Sequence, residues 1–103
     1  RYSCHLPRAV AAYLVGHITV RDPGKWQEYL GRVGATIAAA GGDVLFRGEL
    51  RQELSRRAPG QLIVAARFPD LDALRHWHDS PAYRSLIPIR DAAADAVLSA
   101  YEG

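Results

Sequence analysis

The stretch Trp77-His-Asp-Ser-Pro-Ala-Tyr-Arg-Ser-Leu-Ile-Pro-Ile-Arg90 puts a helix break inside an amphipathic region. Ser80 can accept from amides that lack a partner at a helix start, and Pro81 is pre-shaped for the first helical position. A short helix is therefore predicted to begin at Pro81, after an earlier one ends near His78. Upstream, Leu71, Leu74 and Trp77 recur at helical spacing behind a cap at Asp70. Downstream, Ala82, Tyr83, Leu86 and Ile87 carry the pattern to Pro88, expected to interrupt it and leave Ile89 to Asp95 as a last helical turn or two. Ala96 to Glu102 then reads as a closing strand, with Val97, Ser99 and Tyr101 facing away from Leu98 and Ala100.

Earlier in the chain, Ala12 to Val20 reads as a strand. Leu14, Gly16, Ile18 and Val20 fall on one face, and Tyr13, Val15, His17 and Thr19 on the other. Asp22-Pro23 starts a helix in which Trp26, Tyr29, Leu30, Val33, Ile37 and Ala40 keep helical spacing until Gly41-Gly42 ends it. Asp43 to Leu54 alternates as a second strand. Val44, Phe46, Leu50 and Leu54 are expected on one face, and Leu45, Arg47, Glu49, Arg51 and Glu53 on a solvated one. A turn over Ser55 to Gly60 leads into Gln61 to Phe68, whose alternation opposes Leu62, Val64, Ala66 and Phe68 to Ile63, Ala65 and Arg67.

The order strand, helix, strand, strand, helix, strand has two strand-helix-strand units. Right-handed crossovers arrange them as an antiparallel sheet of order 4-1-3-2, an α+β ferredoxin-like βαββαβ fold. Both helices then cover one sheet face. The other face carries Tyr13, Val15, His17, Ile63, Ala65, Val97 and Tyr101, too apolar a set to leave wet. A homodimer through that open face is the expectation.

The 103 residues suffice for one domain, expected over residues 12–103 behind an N-terminal arm over residues 1–11. Thirteen basic and eleven acidic residues leave a net charge of only +2, scattered along the chain. All but one of the basic residues are Arg, with no basic arm or stripe, so nucleic acid is not the expected partner. Cys4 is the single cysteine, which excludes an internal disulfide and makes a reducing cytoplasm the default. No apolar run approaches the roughly 20 residues that span a bilayer.

Ala12-Tyr-Leu-Val15, His17-Ile-Thr-Val20, Asp22-Pro23, Trp26-Gln-Glu-Tyr29, Gly41-Gly42, Arg47-Gly48, Phe68-Pro69 and Trp77-His-Asp-Ser-Pro-Ala-Tyr83, with Arg90 and Glu102-Gly103 beyond, resemble the DUF1330 family. The most specific part is Trp-x-x-Ser-Pro-x-Tyr followed by Arg. The resemblance runs from Ala12 to Gly103 and implies a dimeric α+β barrel, two such sheets packed face to face. It assigns no function. Arg67 departs from the family pattern, which places an acidic residue before Phe-Pro.

Among chemistry-bearing residues, His17 lies mid-strand, and imidazole is the side chain that exchanges protons near neutral pH. It is either the catalytic group or a hydrogen-bonded interface residue. Arg67 and Arg90 could each hold a carboxylate or enolate, or pair with Glu49, Asp79 or Glu102. Trp26, Trp77 and Tyr83 would form an apolar wall, or simply core. Ser80 lacks a nucleophile elbow and reads as a cap. His76 and His78 point apart on a helix and no glycine-rich phosphate loop is present, so neither a metal nor a cofactor is expected.

These readings lead to a small-molecule pocket between sheet and helices, using proton-transfer or oxygenation chemistry on an aromatic or enolisable substrate, with His17, Trp26, Arg67, Trp77, Tyr83 and Arg90 as its residues. The alternative is a non-catalytic ligand-binding or stress-related accessory dimer. An open cavity with converging polar groups would favour the first, a filled space the second.

Overall fold

The structure, a computed structural model, describes residues 10–103. Nearly all of the expected N-terminal arm lies outside them. The elements are β1 (Ala12–Val20), α1 (Pro23–Ala39), β2 (Asp43–Glu49), β3 (Leu62–Phe68), α2 (Leu71–Asp79), α3 (Pro81–Arg84), α4 (Ile87–Ala93) and β4 (Ala94–Glu102). The four strands form one antiparallel sheet in the order β2-β3-β1-β4, the ferredoxin-like arrangement inferred from the element order.

Local signals set the helix starts. Asp22 accepts from the Lys25 amide and Asp70 from the Ala73 amide, so each helix begins where a short carboxylate satisfies an orphan donor. Ser80 links two helices: its hydroxyl donates to the Trp77 carbonyl at 2.7 Å and accepts from the Tyr83 amide at 3.2 Å. It thereby caps the end of α2 and the start of α3. Gly41, at φ 81°, supplies the left-handed turn after α1 that a side chain would resist.

Register settles the two faces. Leu14 lies between Ala66 and Ala100, Gly16 between Val64 and Leu98, and Ile18 between Leu62 and Ala96. This face meets Trp26, Tyr29, Val33 and Ile37 of α1 together with Leu74, Trp77, Tyr83 and Leu86 from the C-terminal helices. Trp77, Tyr83, Phe68 and Ile18 are the largest fully buried side chains. Opposite them, Tyr13, Val15, His17, Ile63, Val97 and Tyr101 stay open or half-open, with no helix over them among the described residues.

Three sequence expectations change. Pro88 does not interrupt a helix but occupies the first turn of α4, where its missing N–H would have no partner anyway. β4 consequently starts at Ala94 rather than Ala96, and Ala94 and Ala96 take up the end of the β1 ladder. β2 ends at Glu49 rather than Leu54, and Leu54 is 88% exposed.

The third change concerns side-chain direction. A β-bulge lies between Val44 and Phe46: Val44 pairs with Ala66, Phe46 with Ala65 and Arg47 with Val64. One extra residue on a strand reverses every side chain beyond it. Phe46 therefore joins Ala65 on the open face, 53% exposed, and Arg47 and Glu49 turn toward the helices. Sequence alternation had assigned these residues the other way round.

Candidate functional site

A cavity of about 310 Å³ lies between the sheet and α1. Its floor is Leu14, Ile18, Leu62, Val64 and Leu98; its roof is Trp26, Tyr29, Leu30, Val33 and Ile37. Trp77 and Arg90 approach from the C-terminal helices, while Gln27, Arg47 and Glu49 bring polar groups to an otherwise apolar wall. This is the usual composition of a small-molecule pocket: apolar surface with a few polar side chains.

An aromatic cluster shapes one wall. Trp26 stacks on Tyr29 with ring centroids 5.2 Å apart, and Trp77 packs on Tyr83 at 4.2 Å. The Trp77 indole N–H donates to Thr36 Oγ1 at 2.9 Å, tying α2 to α1 and leaving no buried donor unpaired at that point. Tyr83 is completely buried and sits behind the wall rather than in it.

A polar chain runs through this cluster. Arg90 Nη1 donates to the Tyr83 hydroxyl at 2.9 Å, and the Tyr83 and Tyr29 hydroxyls lie 3.0 Å apart. Arg90 Nε and Nη2 both donate to Asp91 Oδ1 at 3.1 Å, which orients the guanidinium. A guanidinium can only donate, so the Tyr83 oxygen accepts from it. If Tyr83 in turn donates to Tyr29, the Tyr29 proton is left for the cavity, which Tyr29 lines and Tyr83 does not.

Burial, followed by the neighbouring Tyr83 oxygen, pushes the Tyr29 phenol well above its ordinary range. Tyr29 thus remains a neutral hydrogen-bond donor at any physiological pH. For Arg90 burial disfavours the charge, but the Tyr83 oxygen and Asp91 together outweigh it, and the guanidinium is held above its usual value.

The residues singled out from the sequence divide between the two sheet faces. Trp26, Trp77 and Arg90 line the cavity, and Tyr83 braces it. His17 and Arg67 do not share it. His17 is flanked by Ile63 and Val97, and Arg67 lies opposite Tyr13, all on the open face. Strand alternation puts the full thickness of the sheet between them and Arg90, so a single pocket holding His17, Arg67 and Arg90 is corrected on geometric grounds.

Sequence reasoning passed over Tyr29, Gln27, Arg47 and Glu49 as site residues. Tyr29 read as one more apolar helix position. Arg47 and Glu49 read as solvated, although three successive apolar residues, Val44-Leu45-Phe46, break strict alternation and were the available sign of a bulge.

Comparisons place this geometry among known proteins. A protein of unknown function, RPA0582 from Rhodopseudomonas palustris, superposes with a TM-score of 0.79 at 19% identity, covering 93% of this chain and 84% of that one. SnoaB, a cofactor-independent oxygenase from Streptomyces nogalater, superposes at 0.69 with 20% identity over 92% and 94% of the two chains. A dimeric ferredoxin-like protein of unknown function from Thermobifida fusca does so at 0.63 with 14% identity, over 93% of each chain. At these identities the likeness is one of fold. No functionally curated protein matches the sequence. Residues 11–103 match the family described as a domain of unknown function, DUF1330, and the chain belongs to that family.

Proposed function

We propose that the cavity binds a small aromatic or enolisable molecule and that the Tyr29–Tyr83–Arg90 chain holds its oxygen, supporting proton-transfer or oxygenation chemistry without a cofactor. The observation that carries this reading is the convergence of the chain on an apolar cavity. With Tyr83 donating to Tyr29, the neutral Tyr29 hydroxyl would be left to donate to a carbonyl and to stabilise the negative charge that grows on it as a neighbouring carbon loses a proton. Among the described residues Glu49 is the one carboxylate that lines the cavity, so it replaces His17 as the proposed proton acceptor. The fold likeness to a cofactor-independent oxygenase supports the reaction class as analogy.

A test uses 2-tetralone, an enolisable aromatic ketone, in D2O, with loss of its α-proton signal followed by NMR. The protein should accelerate exchange over buffer, and Tyr29→Phe should remove a tenfold or larger part of the acceleration. Exchange no faster than in buffer overturns the catalytic reading.

A second reading, ligand binding without turnover, is favoured by one observation. Glu49 Oε1 is already engaged by Arg51 Nη2 at 2.8 Å, a contact that a catalytic base would have to give up. Saturable binding of tetralone with no exchange would select it.

The protein is also proposed to pair with a second copy through the open sheet face. Val97, Tyr101 and Phe46 there are each more than half exposed, a large apolar area for a lone chain. Fold neighbours described as dimeric support this assembly. Among the described residues no helix is long and apolar enough to cross a membrane, and the single cysteine supports a cytoplasmic setting.

A further inference from the structure

Arg47 is a charged residue that the bulge turns toward the helices and that lines the cavity from its β2 edge. Among the described residues it makes no ion pair and no side-chain hydrogen bond. The other charged groups of the wall are already occupied. Arg90 spends Nε, Nη1 and Nη2 on Asp91 and Tyr83, and Glu49 is paired with Arg51. The wall therefore holds one guanidinium whose donors are not committed, beside an apolar space that Gln27 also lines.

We infer that Arg47 is the residue that selects the ligand's charge: the molecule taken up is an organic anion, its apolar ring against Trp26 and its carboxylate on the Arg47 guanidinium. This rests on the reading of the cavity as a ligand site and adds the class of ligand. A planar guanidinium meets a carboxylate with two parallel N–H···O bonds, a charge-assisted pair that a neutral analogue of the same shape cannot form. The β-bulge is then a functional device. It re-aims one side chain of an edge strand into the cavity, a use for which bulges are recurrently found beside sites. The ring and the anionic group bind on separate features, so removing Arg47 should cost charge selectivity and leave the apolar contact intact.

The test compares 2-naphthoate with the neutral 2-naphthalenemethanol by titration calorimetry on the whole protein. In the unaltered protein naphthoate should bind tighter. Arg47→Gln should weaken naphthoate by about fivefold, the upper end for an exposed ion pair, and change the alcohol by less than twofold. Arg47→Lys should recover part of the loss, because it keeps the charge without the fork. Arg67→Gln, which removes a charge from the other sheet face, should change neither ligand. Arg47 is exposed and without side-chain hydrogen bonds among the described residues, so the variants should remain folded; circular dichroism checks this.

Equal loss with both ligands, or naphthoate binding unaffected by Arg47→Gln, overturns the role of Arg47 while leaving the cavity reading in place. Loss of naphthoate binding in Arg90→Gln and not in Arg47→Gln overturns it too and moves the anion to Arg90. Failure of both ligands to bind the unaltered protein overturns the ligand site itself.

Discussion

Arg90 Nη1 donates to the hydroxyl of Tyr83 at 2.9 Å, joining the fully buried Tyr of the helix break to a guanidinium seven residues later. The bond crosses from α3 to α4 and fixes the angle between two very short helices. It also gives a buried phenol oxygen a charged donor. Arg90→Met should leave that oxygen short of a partner and lower stability by about 1.5–3 kcal/mol. In a double-mutant cycle with Tyr83→Phe, measured by urea unfolding, the two losses should be clearly non-additive; simple additivity would mean that the bond contributes nothing.

Tyr29 makes a prediction at high pH. Its pKa is raised in the folded protein by burial and by Tyr83, so the unfolded chain loses that proton first as pH rises. A group with a raised folded pKa contributes stability that is fully present below its unfolded value and is lost as pH climbs toward the folded one. Stability should hold through neutrality and then fall above about pH 10, this residue adding a slope of about 1.4 kcal/mol per pH unit. Tyr29→Phe should remove that share of the slope, as read from urea midpoints between pH 8 and 11. An unchanged slope would show that the phenol ionises as easily when folded.

Ser80 is predicted to act as a cap and nothing more. Its hydroxyl binds the Trp77 carbonyl and the Tyr83 amide, both backbone groups of adjoining helix ends. Ser80→Ala should cost about 1 kcal/mol in thermal or urea unfolding and leave 2-tetralone exchange at the unaltered rate under folding conditions. Exchange lost in a folded Ser80→Ala protein would give the hydroxyl a chemical role instead.

Trp77 links core and cavity, being 1% exposed, packed on Phe68 and Tyr83, and bonded to Thr36. Trp77→Ala should destabilise by about 3–5 kcal/mol, the range for emptying a large buried aromatic position. Trp77→Phe should lose less, and Thr36→Val should reproduce the part that comes from the indole hydrogen bond. Equal stability of Trp77→Ala and the unaltered protein would contradict its place in the core.

Light scattering addresses the open sheet. The unaltered protein should run at twice its 11.3 kDa chain mass, and Val97→Lys, a charge on the β4 edge of the bare face, should shift it toward a monomer. A monomer before any substitution would count against pairing through this face.

The sequence by itself determined the parts of this protein that depend on neighbours along the chain. Period-two alternation in Ala12–Val20 and Leu62–Phe68 and helical spacing in Pro23–Ala39 are repeated local preferences, as are the caps at Asp22, Asp70 and Ser80. Their order was enough for the ferredoxin-like sheet, and the wording around Trp77-His-Asp-Ser-Pro-Ala-Tyr83 was enough for the family. The candidate site was legible only in fragments. Trp26, Trp77 and Arg90 were placed in a pocket, whereas His17 and Arg67 were joined to it although alternation put them on the opposite face.

Tertiary structure decided the rest, because the deciding contacts are distant in sequence or involve one residue's slip in register. Tyr29 meets Tyr83 across 54 positions, a distance no local pattern encodes. At Leu45 the competition was between uninterrupted alternation and a bulge. Pairing of Asp43 and Val44 with Arg67 and Ala66 on one side of Leu45, and of Phe46 with Ala65 on the other, settled it. That single unpaired residue sends Phe46 to the open face and Arg47 to the cavity.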